Sequence, residues 1–98
     1  MSDEGKKNPN ESELFKMDFS TFVLSLNASA LIHLGEIPDP TSKERTVNLS
    51  AAKHTIEILE IIKDKTRGNL DGDDEKLLDD VLFNLRMKYV KNIDIEKK

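Results

Sequence analysis

The chain has 98 residues, no cysteine, 35% charged residues and a formal net charge of −4. One domain at most fits this length, and thiol chemistry and disulfide staples are excluded. Within residues 14–90 ten basic face thirteen acidic side chains, which argues against a nucleic-acid partner, since such a protein shows a basic face.

Residues 1–13 (MSDEGKKNPNESE) carry six charges and no apolar residue beyond the first Met. Such a segment buries too little surface to offset its ordering entropy, so it is expected to be a disordered tail. Lys6 and Lys7 precede polar residues rather than an apolar run, so no signal peptide is expected.

The first predicted helix spans Asp18–Leu34, with Asp18 as cap and Met17 and Phe22 at the two staple positions. Phe19, Phe22, Val23, Leu26, Ala30 and Leu34 form one stripe, and Leu24, Ala28, Leu31 and Ile32 lie partly off it. A helix apolar over most of its circumference is expected to be buried on more than one side. The stretch is too short and too polar to span a bilayer, so no membrane role and a cytoplasmic location are expected. Ser25, Ala28, Ser29 and Ile32 make a mostly small-residue ridge, which suits either an internal contact or a self-association seam.

Gly35 is the expected left-handed stop, and Gly35–Val47 forms a long loop in which Pro38 and Pro40 forbid regular helix. The second helix, Asn48–Arg67, uses Leu49, Ala52, Ile56, Leu59 and Ile62 inward, with Ile58 and Ile61 widening the face. Glu60 and Lys63 are its one plausible supporting pair, and Gly68 closes it. The third helix, Asp71–Val90, starts from a cap at Asp71 with acids in its first turn. Its stripe is Leu78, Val81, Leu82, Leu85 and Tyr89, joined by Leu77 and Val90. Residues 92–98 are charged apart from Asn92, Ile93 and Ile95 and are expected to be a second disordered tail.

Chemistry-bearing residues are sparse. His33 and His54 sit on different helices; Glu36 and Glu57 each follow one of them by three residues, but two groups make only half a site, so a metal role is the minor reading. The run Asp71-Gly-Asp-Asp-Glu fails as a calcium loop, because Lys76 stands where Gly belongs and Leu82 where the bidentate Glu belongs. Helix capping accounts for it. Ser20, Thr21, Ser25 and Ser29 have no base placed to activate them.

The blocks FSTFVLSLNASALIHLGEIPDP (19–40), VNLSAAKHTIEILEIIKDKTRGNL (47–70) and LLDDVLFNLRMKYV (77–90) resemble a small bacterial family catalogued as a domain of unknown function, DUF1844. The likeness covers Met17–Val90. It implies a compact, stand-alone helical protein in the cytoplasm and carries no catalytic residue to this chain.

The expected fold is therefore all-α, a small three-helix bundle in a single domain over residues 14–91, with disordered tails at 1–13 and 92–98. The expected function is a non-catalytic protein–protein interaction module that self-associates as a homodimer. Its candidate surface is Phe22, Ser25, Ala28, Ser29 and Ile32, with no metal, cofactor or catalytic residue expected and an unidentified protein as a further possible partner. A small-molecule or lipid-binding bundle is the alternative, and a metal-dependent enzyme using His33 and His54 the third reading.

Overall fold

The structure, a computed structural model, describes residues 18–97, with side chains described for 18–95. The expectation for residues 1–13 lies outside the described residues, as does Met17 of the expected staple.

Three helices follow in order: α1 (Phe19–His33), α2 (Leu49–Lys65) and α3 (Gly72–Lys97). All three pairs pack together, as a three-helix bundle requires. Each helix starts on the expected cap. Asp18 Oδ1 accepts the Thr21 amide at 2.9 Å, Asn48 Oδ1 the Ala51 amide at 3.0 Å, and Asp71 Oδ1 the Asp74 amide at 2.8 Å.

The end of α1 is a Schellman turn. Glu36 N–H donates to the Leu31 carbonyl at 2.9 Å and Gly35 N–H to that of Ile32 at 3.0 Å, with Gly35 at φ 78°. Gly68, at φ 81°, sits in the turn that Asn69 N–H closes on the Thr66 carbonyl. Both glycines thus occupy the left-handed region where a Cβ is strained.

The loop 35–47 is closed at its base, because Asn48 N–H donates to the His33 carbonyl at 2.7 Å. Asp39 organises its tip, accepting the Thr41 and Ser42 amides on Oδ1 and the Lys43 amide on its carbonyl. Near the base, Lys88 of α3 reaches Glu36 at 3.3 Å.

The core comprises Val23, Ala30 and Leu34; Ala52, Ile56 and Leu59; and Leu78, Val81, Leu82 and Leu85. Ala30 and Ala52 are both fully enclosed, and their small side chains let α1 and α2 approach closely. Thr55 is also buried; its hydroxyl donates to the Ala51 carbonyl at 3.2 Å, which satisfies it inside the helix.

Three expectations change. Helix three does not end at Val90 but continues to Lys97, and Val90 is exposed rather than part of the inward stripe. The continuation is consistent with half-buried Tyr89, Asn92 and Ile93 extending the inward period, and Asn92 bonds back to the Lys88 carbonyl. Glu60 and Lys63 do not pair with each other; each reaches across to α3, to Arg86 and Asp79 respectively. Finally, the described residues cover α1 on one side only, as the exposure of Thr21, Ser25 and Ala28 shows.

Candidate interaction surface

From Phe19 to Leu34 there is no Asp, Glu, Lys or Arg. The outward side of α1 is nevertheless open: Phe22 is 42% and Leu24 48% exposed, with Thr21, Ser25 and Ala28 exposed beside them. Of the candidate self-association residues, Phe22, Ser25 and Ala28 are exposed, while Ser29 and Ile32 are half-buried. A helix face of small residues flanked by Phe22 and Leu24, without a single Asp, Glu, Lys or Arg and left uncovered within the described chain, is the feature that stands out in a protein this highly charged.

The loop 35–47 does not cover that face. It is anchored at the far end of α1 by the Asn48–His33 bond and tied to α3 by Glu36–Lys88. Phe22 stands eleven residues before His33, about 16 Å away along the axis. Ile37, the apolar residue of the loop tip side, is itself exposed.

The neighbouring flank of α2 extends the apolar surface. Glu60 and Lys63 face α3, as their ion pairs show. At 3.6 residues per turn, Ile58 falls on the opposite flank, towards α1, and Ile61 on the outward side of α2. They are 37% and 59% exposed. Because α1 and α2 run antiparallel from the His33–Asn48 bond, Ile58 comes level with Val23, and Ile61 with the turn before it. Phe22 and the row Ser25–Ser29–Ile32 line the same groove from the α1 side. Leu24 points to the α3 side of α1.

A second apolar row, Phe83–Met87–Val90, runs along the outside of α3, with Phe83 66% exposed. Sequence reading passed it over because the leucine stripe of that helix is so regular. The spacings of four and three residues were the available signal. This row borders Asp79, Asp80 and Asp94 as well as Arg86 and Lys91, so unlike the α1 face it has charged edges of both signs.

The histidines are not brought into a cluster. His33 is half-buried at the end of α1, where its carbonyl rather than its ring bonds to the loop base, and His54 is exposed on α2. No group of three or more His, Asp or Glu side chains able to hold a metal occurs among the described residues. A groove at the α2–α3 turn is lined by Lys63, Thr66, Arg67, Glu75 and Asp79, and Lys63 and Asp79 already pair across it. At the start of α3, burial and then the carboxylates of Asp71, Asp18 and Asp73 raise the pKa of Asp74 above its ordinary value. On the next turn, the hydrogen bond to Asp80 raises that of Lys76.

No helix among the described residues is long and apolar enough to cross a membrane. Comparison with protein-family models gives a match to the model described as Domain of unknown function (DUF1844), over residues 16–91. The curated proteins and the solved structures contain no match to the chain.

Proposed function

The chain belongs to the family of unknown function DUF1844, and we propose that it works as a non-catalytic interaction module whose first partner is a second copy of itself. The observation that carries this reading is the outer face of α1. It is open at Thr21, Ser25 and Ala28, is flanked by exposed Phe22 on one side and Leu24 on the other, and carries no Asp, Glu, Lys or Arg along its whole length.

A two-fold contact sets a patch against its own copy, so charge on the patch meets like charge unless it is offset. An uncharged face avoids that conflict. Ser25 and Ala28 supply a low surface on which another helix can lie closely, with Phe22 as the bulky residue beside it.

The test is the mass of the protein in solution by light scattering across a dilution series. The wild type should pass from dimer to monomer on dilution. Ala28→Arg, which sets a charge in the middle of the face, should be monomeric at concentrations where the wild type is dimeric. Circular dichroism should be unchanged. A wild-type monomer from millimolar to micromolar protein would overturn the reading.

A further inference from the structure

We draw no further inference here: the strongest candidate, the exposed Phe83–Met87–Val90 row on the outer side of α3, is bordered by charges of both signs, and nothing in the structure shows what covers it.

Discussion

Between α2 and α3 the register is set by charge. Lys63 meets Asp79, and Arg86 holds Glu60 through two nitrogens at 2.9 and 3.1 Å, over a connection of a few residues. Between α1 and its neighbours no ion pair exists among the described residues; α1 is seated by Val23, Ala30 and Leu34. The ion pair nearest it, Glu36–Lys88, belongs to the loop beyond its end. Charge stands where two helices of one chain must be kept in step, and it is withheld from the helix whose outer face remains open. The comparison separates a closed intramolecular seam from an open one.

The sharpest way to break it is to remove apolar groups from each side. Leu59, fully enclosed, should cost about 2–5 kcal/mol on truncation to Ala, because the cavity adds to the lost transfer energy. Ile61, two residues on but exposed, should cost within about 0.5 kcal/mol when measured by urea unfolding at concentrations that keep copies apart. A large loss at Ile61 under those conditions would mean that it is buried within the monomer.

The two glycine stops come next. Gly35→Ala suffers the left-handed φ and also brings a Cβ to 2.9 Å from Val47 Cγ2. Gly68→Ala suffers the φ alone, with nothing within 4 Å. Thermal unfolding should show a loss of about 1 kcal/mol at Gly68 and a larger one at Gly35. Equal losses would mean that Val47 yields freely, and that the loop base is looser than its hydrogen bond to His33 suggests.

The charged seam itself should contribute less. Glu60 and Arg86 are each about half exposed, so a double-mutant cycle of Glu60→Gln and Arg86→Gln should give a coupling of at most ~1 kcal/mol, falling as salt is added. A coupling that ignores salt would contradict the solvated pair described here.

The smallest effect concerns the start of α3. Asp74 holds its proton more tightly in the folded chain than in the unfolded one. Its contribution therefore favours the fold at pH below the ordinary carboxylate range and fades as pH rises through the raised value. Asp73→Asn removes one of the carboxylates responsible, so an NMR titration should find Asp74 moved back towards its ordinary value.

Much of this was readable in the sequence because local rules and burial agreed. Asp18, Asn48 and Asp71 cap as their side chains dictate, Gly35 and Gly68 turn where only a glycine is comfortable, and the leucines of α3 go inward. Periodicity failed where apolar residues exceeded what three helices can enclose. On α1 it could not tell that Phe22 and Leu24 are left exposed on its flanks, since that helix is apolar over most of its circumference. On α2 it could not choose whether Ile58 and Ile61 join the core, which depends on where α3 lies. Glu60 and Lys63 looked like a local pair because partners 26 and 16 residues away are invisible to helical spacing. The candidate surface was legible as an excess of apolar residues on α1.

The most direct measurement of the central claim is an amide NMR dilution series, which reads the contact residue by residue. The account predicts that amides of residues 21–32 shift with concentration, while those along the outer side of α3, around Phe83 and Met87, stay still. Shifts confined to α3, or none anywhere up to millimolar protein, would contradict it.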